Sequence, residues 1–362
     1  MMLGGKEMKK AIICLLALFL IFGMAGCKKT DGGANLVGIS MPTQSTERWV
    51  TEGNAMQAGL EKLGYQVVLQ FAEDHVEQQI NQIENMLNRG IKVLICAPID
   101  GGALDGVLKK VHDAGALIIA YDRLLEDTQY VDYYCTFDSI KIGGLMGGAI
   151  VDSLDLKGGK GPFNVELFAG SLDDNNTPLY FDGAMDLLRP YISNGQLVVK
   201  SGQTNLNQCS ILGWAAEVAQ SRMDNILVAN YADGSLVHAV LSPYDGLSIG
   251  IISSLKAVGY GSANRPFPVI TGQDAELPSI KAILAGEQTH TVALDLFSLA
   301  QVAIDMADQH MKGQTVVTTM LPINNGVKDV PAEGGRAVSA DASNIVRQML
   351  EFGLYTEAEM RD

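Results

Sequence analysis

From Leu36 onward, short apolar runs alternate with amphipathic stretches, a pattern that predicts β-α units building parallel sheets. Apolar segments of strand length fall at 36–41, 67–71, 93–97, 117–122 and 134–138. A second series falls at 164–168, 197–200, 239–242, 269–272 and 291–294. Between them lie helical patterns such as 76–89, where Val76, Ile80, Ile83 and Leu87 recur on one face. Gly64, Gly90 and Gly115 stand just past successive helical patterns, where a left-handed residue closes a helix. Two such series predict an α/β protein of two doubly wound, parallel-sheet lobes.

The first 27 residues break this alternation. Lys6, Lys9 and Lys10 precede an apolar run over 11–22, too short to span a bilayer comfortably, and small residues follow up to Cys27. That is the layout of an export signal. Met24-Ala25-Gly26-Cys27 also resembles the bacterial lipobox, whose cysteine receives a lipid and becomes the new N-terminus, although Met24 stands where leucine is usual. The expectation is a signal over 1–27, lipidation at Cys27, a flexible tether over 28–34 and an extracytoplasmic protein held to the cell membrane. No later apolar run reaches membrane-spanning length, so the lipid would be the only membrane contact.

Removing the signal leaves some 335 residues, enough for two domains of about 150 each. The formal charge of -15 becomes about -17 once Lys6, Lys9, Lys10 and Glu7 are gone. So acidic a chain argues against nucleic acid and anionic headgroups as partners. Cys96, Cys135 and Cys209 remain of the five cysteines, and three cannot all pair; Cys96, inside an apolar strand, reads as a buried thiol.

In doubly wound sheets, ligands bind beyond the carboxyl ends of the strands. There this chain places Arg48 and Trp49, then Asp122 and Arg123, then Asp173 to Asn176, then Tyr244 and Asp245, then Gln273 and Asp274, with Trp214 at the start of a helix. Carboxylates, amides and guanidinium groups satisfy hydroxyls that both donate and accept, and indole rings pack on apolar C–H faces. The combination suits a sugar. Each group also has a plainer reading: Asp122 and Arg123 as a structural ion pair, the Asp173 and Gln273 segments as helix caps.

The same stretches carry a family resemblance over essentially the whole mature chain. Gly38 to Thr43 with Glu47-Arg48-Trp49, Gln82 to Met86, Ala120-Tyr121-Asp122-Arg123, Leu241 to Gly250 and Gly272 to Glu276 are similar to bacterial substrate-binding lipoproteins for monosaccharides, the multiple-sugar and xylose-binding group. The resemblance implies the type I periplasmic binding protein fold, two Rossmann-like lobes joined by three crossovers. On this reading the first lobe holds 35–139 and 295–323, and the second 140–294 and 324–362. It implies that Arg48, Asp122, Arg123, Asn176, Asp245 and Asp274 bond sugar hydroxyls while Trp49 and Trp214 stack on the ring. It further implies a monomer without cofactor that delivers sugar to the permease of an ABC importer driven by its ATPase, with a sensor or chemoreceptor as a second partner. Leu294 and Gln44 depart from the group's pattern, each standing where a lysine is common, and that predicts an altered hydroxyl preference.

Competing motifs carry less. Gly246-Leu247-Ser248-Ile249-Gly250 matches the nucleophile elbow of serine hydrolases, with Asp274 and His290 following in the order those enzymes use. Lys157 to Pro162 is glycine-rich but lacks the phosphate-binding Gly-Lys-Ser/Thr and reads as a turn. The five histidines are scattered without ligand spacing, so zinc is not expected. Nucleoside-binding lipoproteins remain the alternative ligand class. The lobed cytoplasmic repressors do not fit, because residues 1–35 read as an export signal where those carry a DNA-binding helix pair.

Overall fold

The computed structural model describes residues 35–361. The expected signal, Cys27 and the tether over 28–34 lie outside them. The first sheet is built from β1 (Leu36–Met41), β2 (Gln66–Phe71), β3 (Val93–Cys96), β4 (Leu117–Tyr121) and β5 (Tyr133–Thr136), in the order β5-β4-β3-β1-β2, all parallel. Helices α1 (Glu47–Lys62), α2 (Val76–Asn88) and α3 (Asp105–Asp113) connect them. β1, β3 and β4 are buried on both faces, which explains their nearly continuous apolar runs. The apolar face of α2 carries one polar intruder, Gln79. It is fully buried, donates to the Ala97 carbonyl at 2.9 Å and accepts from Ile99 N–H at 3.0 Å, so it fixes the loop beyond β3.

The second lobe repeats the plan. After α4 (Ser139–Ser153), strands β6 (Phe163–Leu167), β7 (Leu197–Val199), β8 (Ala239–Leu241) and β9 (Val269–Ile270) form a parallel sheet ordered β7-β6-β8-β9. The helices that follow these strands include α5 (Asn176–Ser193), α6 (Ala216–Asn230), α7 (Asp245–Ala257) and α8 (Leu277–Leu284). Beyond β9, Val292 N–H donates to the Gly272 carbonyl at 2.9 Å, which joins β10 (His290–Leu294) to the sheet edge in parallel. Helices α4 and α5 approach closely. A Cβ on Gly143 would stand 2.1 Å from the Tyr180 carbonyl oxygen, so only glycine fits there.

The chain passes between lobes three times. It leaves the first after β5, returns after β10 into α9 (Leu296–Met311), and leaves again between β11 (Ala332–Gly334) and β12 (Ala337–Asp341), which runs antiparallel to β10. The last passage corrects the expected boundary at 324, because β11 lies parallel to β5 at the edge of the first sheet. Three residues of strand, ending on Gly334 and set between Pro331 and Gly335, give too short a pattern to read as sheet. The three crossing segments lie together: Asp295 N–H donates to the Arg336 carbonyl at 2.8 Å, and Gly335 N–H to the Thr136 carbonyl at 2.9 Å.

Candidate functional site

The carboxyl ends of β4 and β9 each release an aspartate in the left-handed backbone region, Asp122 at φ 61° and Asp274 at φ 92°. Such a conformation costs a residue with a side chain about 1–3 kcal/mol and persists only where the surroundings over-determine it. For Asp122 they do. Its N–H donates to the Cys135 carbonyl at 2.7 Å, and its own carbonyl accepts from Tyr134 Oη at 2.7 Å, Thr136 Oγ1 at 3.2 Å and Asn176 Nδ2 at 3.0 Å. Asp274 N–H donates to the Val292 carbonyl at 2.9 Å.

Between these two carboxylates lies Arg48, on the first turn of α1 and almost fully buried. Its Nη2 donates to Asp122 Oδ2 at 2.7 Å, its Nε and Nη2 donate to Glu52 at 3.0 Å each, and its Nη1 is 3.6 Å from Asp274 Oδ1. Burial pulls its pKa down, but Asp122, Glu52 and Asp274 outweigh burial and hold it well above the ordinary value. For Glu52 burial wins, lifting the carboxyl to about 7 against the pull of Arg48. Burial also raises Asp174, 2.9 Å from Arg123 Nε, and Asp274.

Aromatic rings complete the walls. The Arg48 guanidinium lies 4.5 Å from the Trp49 ring centroid and that of Arg123 5.5 Å from it. Across the cleft, Trp214 meets Tyr180 and Tyr244 edge-on, at 6.5 and 6.1 Å. The indole presses so closely on Gly170 that a Cβ there would fall 2.1 Å from its ring carbons. Tyr244 Oη donates to Glu276 at 2.8 Å, and burial lifts that carboxyl to about 7. Two buried polar atoms of this wall, Trp214 Nε1 and Gln273 Oε1, have no protein partner. The groups line a cavity between the lobes, a place where small-molecule sites commonly form.

Arg48, Trp49, Asp122, Arg123, Trp214 and Asp274 all line this cavity, as the sequence placed them. Asn176 and Asp245 do not. Asn176 turns its amide to the Asp122 carbonyl and accepts from Ser139 Oγ at 2.8 Å. Asp245, fully buried, accepts from Glu276 N–H, Gln288 Nε2 and Thr291 Oγ1, which knits the loop after β9 to β10 from behind. Leu294 also lies away from the cavity, in the apolar core, and Gln44 is exposed, so neither departure places a changed group on the wall. Reasoning from sequence missed Thr46, Asp174, Tyr180, Tyr244 and Gln273 as lining residues. Asp174, Tyr244 and Gln273 stood in the strand-end loops already singled out, and Thr46 lies just before Arg48 in the chain. Tyr180, one turn into α5, carries no signal that separates it from a core residue.

The hydrolase motif dissolves in three dimensions. Ser248 sits inside α7, fully buried, and its Oγ lies 2.7 Å from the Thr271 carbonyl and 2.8 Å from Ser242 Oγ. The His290 Nε2 is instead paired with Ser339 Oγ at 2.8 Å. Among the described residues there is no cluster of histidine, cysteine and acidic side chains that could hold a metal. Cys96, Cys135 and Cys209 are free and buried, and burial raises the Cys96 thiol to about 12.

Residues 37–315 match the model of a periplasmic binding protein domain. The chain belongs to that family. It is 51% identical over 325 residues to a multiple sugar-binding periplasmic protein of Azospirillum brasilense, covering 90% of this chain and 91% of the relative. Identity to a multiple sugar-binding periplasmic receptor of Rhizobium radiobacter is 48% over 347 residues, 96% of each chain. A solved ABC transporter solute-binding protein from Clostridium phytofermentans, with β-D-glucose bound, superposes at a TM-score of 0.86 and 39% identity, over 90% of this chain and 100% of that one. This chain therefore covers at least nine-tenths of each of these two relatives and of that solved structure.

Proposed function

We propose that this protein captures a monosaccharide, an aldopentose or aldohexose, between its two lobes and delivers it to the permease of an ABC importer. The observation that carries this is that two cavity-lining residues each hold a buried atom without a protein partner, the donor Trp214 Nε1 and the acceptor Gln273 Oε1. A buried polar atom without a partner costs about 1–3 kcal/mol, and sugar hydroxyls meet both needs at once. Arg48, Asp122, Arg123 and Asp274 bond further hydroxyls, and Trp49 and Trp214 offer apolar faces to the ring. The protein binds without chemistry. The sugar receptors to which it is similar support the same ligand class.

Cys27 is the proposed lipidation site, which would keep the receptor outside the cytoplasm and beside its permease and ATPase as a monomer. The lobes would close by hinge motion at the three crossovers. The test is calorimetric titration of the chain from Lys28 onward with xylose, arabinose, glucose, galactose, ribose, fucose, glucuronate and a nucleoside. Saturable one-to-one binding of one or a few sugars is expected. Heat with the nucleoside alone would move the protein to the nucleoside receptors, and silence throughout would remove the sugar assignment.

A further inference from the structure

Beside the cavity, the two lobes are joined by protein groups alone. Asn175, the residue before α5 in the second lobe, accepts the Leu124 N–H of the first lobe on its Oδ1 at 2.7 Å. Its neighbour Asn176 donates Nδ2 to the Asp122 carbonyl at 3.0 Å, and Ser139, just past the first crossover, donates to Asn176 Oδ1 at 2.8 Å. Neither asparagine lines the cavity. Their partners flank the residues that do: Asp122, Arg123 and Leu124 are consecutive, and Asp122 and Arg123 are cavity residues.

We infer that Asn175 and Asn176 are positioning residues, an inter-lobe latch that couples lobe closure to the setting of Asp122 and Arg123; this rests on the capture reading above. Opening the lobes breaks both bonds together. The Asp122 carbonyl then loses one of its three side-chain donors and keeps Tyr134 and Thr136, both of the first lobe. Closure restores the third donor and brings Asp174, also of this segment, onto the Arg123 guanidinium. Neither asparagine lines the cavity, so the latch favours the closed form by the same free energy whatever sugar is held. An apparent affinity scales with the population of the competent form, so weakening the latch multiplies every dissociation constant by one factor.

The test is Asn175→Ala in the otherwise intact protein. Affinity for each sugar that the wild type binds should fall roughly 3- to 10-fold, the worth of one neutral hydrogen bond, by the same factor within about twofold and with the ranking kept. The loss should appear in the dissociation rate. Unchanged affinities, or a reordered ranking, would overturn the latch. A second measurement works without any sugar: hydrogen exchange at the Leu124 amide should accelerate in Asn175→Ala while the Ile118 amide, bonded to Asp132 within the first lobe at 2.8 Å, stays as it was. Should the wild type bind none of the sugars, the capture reading fails by itself. The latch then stands if Leu124 loses protection in the variant and falls if its exchange is equal in both proteins.

Discussion

Arg48 and Glu52, one helical turn apart on α1, are joined by two hydrogen bonds of 3.0 Å with both side chains buried. The fork takes up the Nε edge of the guanidinium and turns the Nη1 corner toward Asp274. Tyr121 Oη, donating to Glu52 at 2.9 Å, fixes the carboxylate from the other side. Glu52→Ala should therefore cost about 3–5 kcal/mol in chemical denaturation, the toll of leaving a buried charge without its partner. A loss under about 1 kcal/mol would show that Asp122 and Asp274 suffice for Arg48.

Trp214 separates ligand binding from stability. Its Nε1 has no protein partner, so Trp214→Phe removes a donor that the fold does not use. Sugar affinity should fall roughly tenfold, by one lost hydrogen bond, while the unfolding midpoint moves by no more than a few degrees. An unchanged affinity would show that the indole N–H does not face the ligand.

Leu294→Lys tests where position 294 points. The leucine is fully buried in the apolar core, at the end of β10 opposite Ala337. A lysine there should destabilise the protein by several kcal/mol, because burying an unpaired ammonium is costly. A stable variant with a changed sugar ranking would return the position to the cavity.

The pH dependence of stability carries the mark of His290. Burial lowers its pKa from 6.5 to about 4, with Asp341 pulling weakly the other way. The unfolded chain takes up the proton first, so the contribution of His290 is complete above pH 6.5 and is lost as pH falls toward 4. The span is worth about 3 kcal/mol. Glu52 and Glu276, both lifted to about 7, act with the opposite sign, but they are common to wild type and His290→Gln and cancel between them. The stability difference between these two proteins should shrink by that amount between pH 7 and pH 4 in urea titrations. A pH-independent difference would place His290 in contact with solvent.

The strands of both lobes were legible because parallel strands buried on both faces, such as β1 and β4, write continuous apolar runs into the chain. The strand-end rule then pointed to the loops that supply most of the cavity wall, but not to Tyr180. It could not tell a residue that faces the cavity from one that holds the wall from behind. Asn176 and Asp245 have the right chemistry at the right strand ends, yet one turns back to a main-chain carbonyl and the other is enclosed by Gln288 and Thr291. That choice is set by side-chain rotamers packed against distant segments, to which a local pattern is blind. Leu294 shows the same limit, and β11 was missed because three residues carry too little periodicity.

The position of β11 also sets the order in which the molecule can be assembled. The edge of the first sheet comes from residues 332–334, and α9, which packs on α1, comes from 296–311. A chain growing from its N-terminus therefore cannot finish its first lobe until nearly all of the second has been made. Domains ordinarily fold as units while synthesis proceeds. Here neither lobe has that opportunity, so the two must finish folding together once the last strands emerge.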